Sequence, residues 1–229
     1  MKGATSFGYK VGEYYGQKVK DKKEDLLTDE NLRKAEYEYL LALGLKKDEF
    51  EIRKVVVDKK SNLFINTIIV HKKETKTSSS ASSTQKPSIV LIHGYGGTGL
   101  MFSSLITALA RNFRVILVDL IGNGSSSRPK WDIVDGFDAD LFFSKILENW
   151  REAMELTDFY LVGTSYGGYI AGCYASFYPK HIRKLVLCGP VGLAQKPLNF
   201  GKVARHEKWD EMPYLLKVLK GKTWGRIRP

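Results

Sequence analysis

Cysteine is scarce in this chain: Cys173 and Cys188 are the only two among 229 residues. Both lie in apolar segments, where a reduced, packed thiol is expected, and two cysteines so placed do not make a disulfide-stapled secreted scaffold. Long hydrophobic runs are missing as well. The best, Val115–Ile121 and Phe159–Val162, are far short of the roughly 18 to 20 apolar residues that cross a bilayer, so no transmembrane anchor is expected. The N-terminus has no apolar signal-peptide core, and its first arginine is Arg33, so it does not read as an Arg-rich transit peptide. An intracellular address follows, cytoplasmic or peripheral on a membrane or lipid droplet.

Acidic residues are in deficit, 25 Asp and Glu against 36 Lys and Arg, for a formal charge of +11. The excess sits in short runs such as Lys18–Lys23, Lys46-Lys47, Lys59-Lys60 and Lys72-Lys73, and it favours anionic partners. Zinc-ligand spacing and aromatic RNA-binding motifs are both lacking, so no metal, no cofactor and no nucleic acid is expected, and a lipid surface fits the charge better. What the chain does have is core material: 43% hydrophobic and 12% aromatic residues, enough for one globular domain.

Residues 1–24 are rich in Gly, Tyr and Lys without periodicity and read as a loose lead-in. Leu32, Ala35, Tyr39, Leu40 and Leu43 fall at helical spacing within Leu26–Leu43, with Thr28 or Asp29 as N-cap and Gly44 as C-cap. Ile52–Val57 and Leu63–Val70 are β-branched runs around a polar turn, which predicts an antiparallel hairpin. Residues 72–86 are Ser/Thr/Lys-rich and read as a surface loop. Beyond it, short apolar runs alternate with helical patterns: Ile89–Ile92, a helix near 100–110, Val115–Leu120, a helix near 139–156, Phe159–Val162, a helix near 168–177, then Leu185–Leu187. This series predicts an α/β fold with a mostly parallel sheet, helices on both faces, and functional residues at the carboxyl ends of the strands. The core spans 25–190, and 191–229 reads as the start of a cap, with Trp209, Met212, Tyr214, Leu215 and Leu216 in a basic helical context.

Two strand ends carry the chemistry. Gly163-Thr-Ser165-Tyr-Gly167 lies between an apolar strand and an apolar helix, the setting of a nucleophile elbow. A serine on so sharp a turn needs strained torsions, and Gly163 and Gly167 remove side chains that would strike the adjoining backbone. Ser165 is therefore the candidate nucleophile, and the backbone N–H of Tyr166, at the helix N-terminus, faces a developing oxyanion. The first parallel strand ends in His93-Gly-Tyr-Gly-Gly97, a turn in which the N–H of Tyr95 supplies the second oxyanion donor; His93 reads as structural rather than as a base. A phosphate-binding loop fits less well, because no Gly-Lys-Ser/Thr follows. The stretch Asp119-Leu-Ile-Gly122-Asn-Gly124 is uninformative alone.

The order of these motifs resembles the α/β-hydrolase superfamily. Glu148-Asn-Trp-Arg151, Gly124-Ser-Ser-Ser-Arg-Pro129, Tyr178-Pro179 and Gly189-Pro-Val-Gly-Leu193 narrow the likeness to the abhydrolase-domain four and five family. The resemblance runs from about Leu26 to the C-terminus. It implies a lipid or phospholipid substrate, since that family comprises N-acyl-phospholipid lipases and lipid-droplet lipase coactivators, some members being credited with lysophosphatidic acid acyl transfer. Family members carry Ser or Asn at the nucleophile position; Ser165 fits the hydrolytic kind, while Thr164 stands where the family usually has His.

The rest of a triad is not found. In this fold an acid and then a histidine follow the serine. His181 and His206 are the only histidines after Ser165, and no Asp or Glu lies between Ser165 and His206. The sequence reads as a C-terminally truncated serine hydrolase of acyl esters, lacking its last strands and most of its cap. The alternative is a short form that binds lipid or regulates a lipase without catalysis.

Overall fold

A computed structural model describes residues 29–71, 86–130, 132–133 and 135–192. Helix α1 (Asp29–Ala42) precedes a hairpin of β1 (Phe50–Asp58) and β2 (Leu63–Val70). Then come β3 (Ser88–Ile92), a 3-10 turn (Gly99–Phe102) leading into α2 (Ser103–Leu109), β4 (Arg114–Val118), α3 (Gly136–Ala153), β5 (Phe159–Thr164), α4 (Tyr166–Phe177) and β6 (Ile182–Cys188). The six strands form one sheet in the order β1-β2-β4-β3-β5-β6. The pairs β1/β2 and β2/β4 are antiparallel, whereas β3/β4, β3/β5 and β5/β6 are parallel. The predicted mostly parallel sheet with an N-terminal hairpin is thus what the chain forms. The expected lead-in 1–24, residues 72–85 of the expected loop, and the cap residues from 193 onward lie outside the described residues.

Both faces of the central strands are covered, which explains their near-continuous apolar runs, whereas β6 is largely exposed among the described residues. Ile65, Ile69, Val90, Ile92, Ile116 and Val118 pack towards α3 and α4. Their alternates Ile68, Val70, Leu91, Val115 and Leu117 pack towards α1 and α2. The period-2 alternation of the strands divides one apolar run between two cores. Helix α3 answers with Phe143, Ile146, Leu147 and Trp150 at helical spacing, and its N-terminus is capped by Asp135, whose carboxylate accepts from the N–H groups of Phe137 and Asp138.

Helix α1 ends as its sequence requires. Gly44 sits at φ +84, its N–H reaches Leu41 O at 2.9 Å, and Leu45 N–H reaches Leu40 O at 3.3 Å. That pair of bonds is a Schellman ending, with Leu40 and Leu45 in the same core. The start differs from expectation in that Asp29 is already helical and Thr28 lies outside the described residues. The buried face also differs: Leu40 is buried, but Ala35 and Tyr39 are exposed, and the second buried residue is Glu36. Cys188 is a further correction. It is free and exposed at the end of β6, not packed, because β6 is the sheet edge among the described residues. No helix among them is long and apolar enough to cross a membrane.

Trp150 joins α3 to the sheet. It is fully buried, and its indole N–H donates to Thr67 Oγ1 on β2 at 2.9 Å. Replacing it by alanine, Trp150→Ala, is expected to cost about 3 to 5 kcal/mol in urea unfolding, while Trp150→Phe, which keeps most of the volume, loses less.

Candidate active site

Strand order reverses at β3, which has β4 on one side and β5 on the other. In open α/β sheets the crevice beyond the carboxyl ends of such strands is where ligands bind. Here the ends of β3 and β5 deliver His93-Gly94-Tyr95 and Ser165 to the same place. A Cβ built on Gly94 would stand 3.2 Å from the Cβ of Ser165 and 3.7 Å from its Oγ, so two segments 71 positions apart in sequence touch.

Ser165 itself adopts φ +53, ψ −119, one of three non-glycine residues at positive φ among those described. A β-carbon in this region is strained and persists only where the surroundings hold it. They do so through backbone: Ser165 N–H donates to Cys188 O at 3.0 Å, and its carbonyl accepts from Tyr169 N–H and Val191 N–H, each at 3.2 Å. The flanking glycines are required by proximity. A side chain on Gly163 would strike the backbone of Gly167 and Gly168, and one on Gly167 would strike the carbonyls of Ile92 and His93. The helix therefore packs onto β5 and onto the end of β3 at bare-backbone distance. Tyr166 opens α4, so its N–H belongs to the first turn of a helix, where backbone donors lack intrahelical partners.

Aromatic rings pack around Tyr166, the residue after this serine. Tyr95 meets Tyr166 edge-on at 6.3 Å, Phe143 meets it edge-on at 6.0 Å, and Tyr169 stacks on it at 6.4 Å. Burial pushes the Tyr166 phenol up to about 12, with Asp140 acting in the same direction. Tyr169 donates its O–H to both Asp140 oxygens, at 2.7 and 2.8 Å, and that bond raises its phenol in turn. Cys173 is raised by burial, again with Asp140. All three groups stay protonated at neutral pH, leaving apolar rings with a few hydroxyl handles.

His93 is buried, and its two ring nitrogens are both engaged by backbone. Leu120 N–H, which can only donate, points at Nε2 at 3.0 Å, while Gly94 O, which can only accept, lies 2.6 Å from Nδ1. The proton is therefore on Nδ1, and the ring is a neutral brace between the ends of β3 and β4. His181 sits at the opposite end of the sheet, against Thr157 O at 2.9 Å and 3.6 Å from Glu148 Oε1. Neither histidine faces Ser165, and among the described residues no group of three or more His, Cys, Asp or Glu could hold a metal.

Sequence reasoning missed a buried polar node beside this crevice. Asp119, directly after β4, accepts from Gly99 N–H at 2.7 Å, from Ser125 N–H at 2.9 Å and from Asn66 Nδ2 at 3.0 Å. The available signal was Gly124: at φ +51 it lies so close to the Asp119 carboxylate that any side chain would collide with it. The spacing of a carboxylate and two glycines is common enough that only the folded neighbourhood gives it meaning.

Residues 87–226 match the family model of the alpha/beta hydrolase fold, and the chain belongs to that family. Among curated relatives, it is 39% identical over 115 residues to a probable 1-acylglycerol-3-phosphate O-acyltransferase of Oryza sativa subsp. japonica, covering 50% of this chain and 28% of the relative. It is 40% identical over 114 residues to abhydrolase domain-containing protein abhd-5.2 of Caenorhabditis elegans, covering 50% and 26%. It is 34% identical over 118 residues to the Homo sapiens 1-acylglycerol-3-phosphate O-acyltransferase ABHD5, covering 52% and 34%. The aligned part is thus well under half the length of each relative. Among solved structures, a bacterial membrane phospholipase A superposes with a TM-score of 0.58 at 23% identity over 88% of this chain and 58% of that one. A 2-hydroxy-6-oxo-6-phenylhexa-2,4-dienoate hydrolase from Rhodococcus sp. strain RHA1 does so at 0.52 and 21%, over 75% and 59%. At such identity these two show the shared fold.

The brace formed by His93 can be tested by pH. Burial, opposed by Gly94 O and Asp119, holds its imidazole below the ordinary 6.5. Unfolded, the group takes up its proton near that value; folded, it does not, so its contribution is present above pH 6.5 and is lost as the pH falls towards the lower folded value. His93→Ala is expected to cost about 1 to 3 kcal/mol at neutral pH by leaving Leu120 N–H unpaired, and to flatten that part of the stability profile in urea titrations at a series of pH values.

Proposed function

We propose that this chain carries the nucleophile and the oxyanion donors of a serine enzyme acting on acyl esters of lipids or phospholipids. The single observation behind the reading is Ser165 at positive φ on the strand-to-helix turn, with the Gly94 turn packed against its Cβ. Ser165 Oγ would attack the acyl carbonyl carbon, giving up its proton to a base, and the N–H groups of Tyr95 and Tyr166 would hold the carbonyl oxygen as it becomes an oxyanion. Collapse would expel the alcohol, which takes the proton back, and leave an acyl-serine for water to cleave. The base and its acid are assigned to residues other than those described, since His93 is committed to backbone and His181 is remote. The protein would work inside the cell, in the cytoplasm or on a membrane or lipid-droplet surface, where its charge of +11 favours anionic headgroups.

A second reading is favoured by what the relatives are called. Two of the three are described as 1-acylglycerol-3-phosphate O-acyltransferases. The acyl-serine would then pass its acyl group to the free hydroxyl of lysophosphatidic acid in place of water. A third reading, lipid binding or lipase regulation without catalysis, uses the same crevice and needs no base.

A fluorophosphonate probe separates these. A form of the protein extended to carry an acid and a histidine after Ser165 is expected to label, and Ser165→Ala to abolish the label; persistent labelling of the variant sinks the assignment. The 229-residue chain is expected to label weakly, and strong labelling of it at Ser165 would show that a base lies within it. With a labelled acyl donor and lysophosphatidic acid, free fatty acid marks hydrolysis and labelled phosphatidic acid marks transfer. Neither product from a correctly folded, probe-reactive protein leaves the binding role.

A further inference from the structure

Glu36 occupies the buried face of α1, one turn from Leu32 and one from Leu40, and is only 8% exposed. A carboxylate there is costly unless it is fully engaged. Its Oε1 accepts from Ser125 Oγ at 2.9 Å and from Asn66 Nδ2 at 3.1 Å. The same Asn66 nitrogen donates to Asp119 Oδ2 at 3.0 Å, so its two hydrogens serve two carboxylates. The cost falls on Asn66 Oδ1, which is buried with no hydrogen-bond partner. That orphaned oxygen is what giving both amide hydrogens to carboxylates costs.

The connection continues towards Ser165. Asp119 Oδ1 takes the N–H of Gly99, just beyond the Gly-rich turn, at 2.7 Å, and the next residue, Leu120, gives its N–H to His93 Nε2 at 3.0 Å. His93 Nδ1 holds Gly94 O at 2.6 Å, and Gly94 lies against Ser165 Cβ. From Glu36 to Gly94 the hydrogen bonds run from 2.6 to 3.3 Å, and packing completes the path to the serine. Helix α1 is thus wired to the turn that presents Tyr95 N–H, although Glu36 touches neither that turn nor Ser165.

We infer that Glu36 is a positioning residue, setting through Asn66 and Asp119 where the Gly94-Tyr95 turn stands relative to Ser165. Calling that turn an oxyanion turn rests on the serine-enzyme reading proposed above; the linkage itself does not. The charged groups facing Glu36 are Asp119 from the end of β4 and Arg33 on its own helix, while β2 and the turn after Asp119 face it with the neutral Asn66 and Ser125. Burial pushes its carboxyl above the ordinary 4.5, and Asp119 adds to this, so Glu36 titrates apart from exposed carboxylates and can be followed.

The test is a series of amide spectra of the 15N-labelled chain from about pH 4 to about pH 8, in wild type and in Glu36→Gln. The expected result is a step at the Glu36 midpoint in the Ser125, Gly94 and Tyr95 amides, which disappears in E36Q while any step of His93 stays. A Glu36 step seen at Ser125 and absent from Gly94 and Tyr95 would overturn the inference. Hydrogen exchange supplies the second readout: Glu36→Ala is expected to speed exchange across 94–99 about tenfold with β5 and α4 unchanged, and E36Q to restore it. Acceleration confined to α1, or equal everywhere, would reduce Glu36 to a helix anchor and sink the proposal. Should E36A fail to fold, the wild-type titration still decides. None of these readouts uses the reactivity of Ser165, so probe labelling and loop coupling can fail independently.

Discussion

Close backbone packing at one point governs this structure. The turn carrying Ser165 exists only because β5, the start of α4 and the end of β3 approach within a distance that admits no side chain at Gly163 or Gly167. The strain of a serine at φ +53 is held by hydrogen bonds to the end of β6 and the residues just past it, so the local conformation is a property of the assembled sheet. Everything else in the described chain keeps those backbone segments in register. The two cores press helices onto both sheet faces, and the parallel pairs β3/β5 and β5/β6 bring the strand ends level.

Two buried carboxylate clusters do complementary work around that sheet. At the end away from Ser165, Glu148 accepts from Tyr174 O–H at 2.7 Å and from both arms of Arg151, at 2.9 and 3.0 Å. Burial alone would raise its carboxyl, but the Arg151 fork and the tyrosine bond hold it below the ordinary range, so the ion pair within α3 remains charged, and the Tyr174 bond ties α3 to α4. Arg151 also donates to Leu156 O, fixing the turn into β5. At the Ser165 end the cluster of Glu36, Asn66 and Asp119 contains two carboxylates and no cation fork. Hence the same type of residue is pushed up at one end of the fold and down at the other, for reasons set by its partners.

Membership of the alpha/beta hydrolase family accounts for the mostly parallel sheet with its flanking helices. A common fold hosts many chemistries, so function has to be argued from the site. The site-specific features of this chain are its tyrosines. Tyr95 and Tyr169 pack on the ring of Tyr166, the residue after Ser165, and Tyr169 is tied to Asp140.

The sequence by itself determined what depends on near neighbours in the chain. The β-hairpin, the alternation of apolar strands and helices, the Gly44 ending of α1 and the Gly163-x-Ser165-x-Gly167 turn are all written in spacing and turn chemistry, which act over a few residues. Boundaries shifted where tertiary bonds extend an element, as when β6 grows to Ile182–Cys188 along its pairing with β5. The tertiary structure alone decided the burial of Glu36, the role of Asp119, the tautomer of His93 and the exposure of Cys188. Each of these turns on a partner 20 or more positions away, as with Gly99 reaching Asp119 and Leu120 reaching His93, or, for Cys188, on β6 being the sheet edge among the described residues. A carboxylate at a helical position reads as solvated until the fold supplies the donors that make burying it worthwhile.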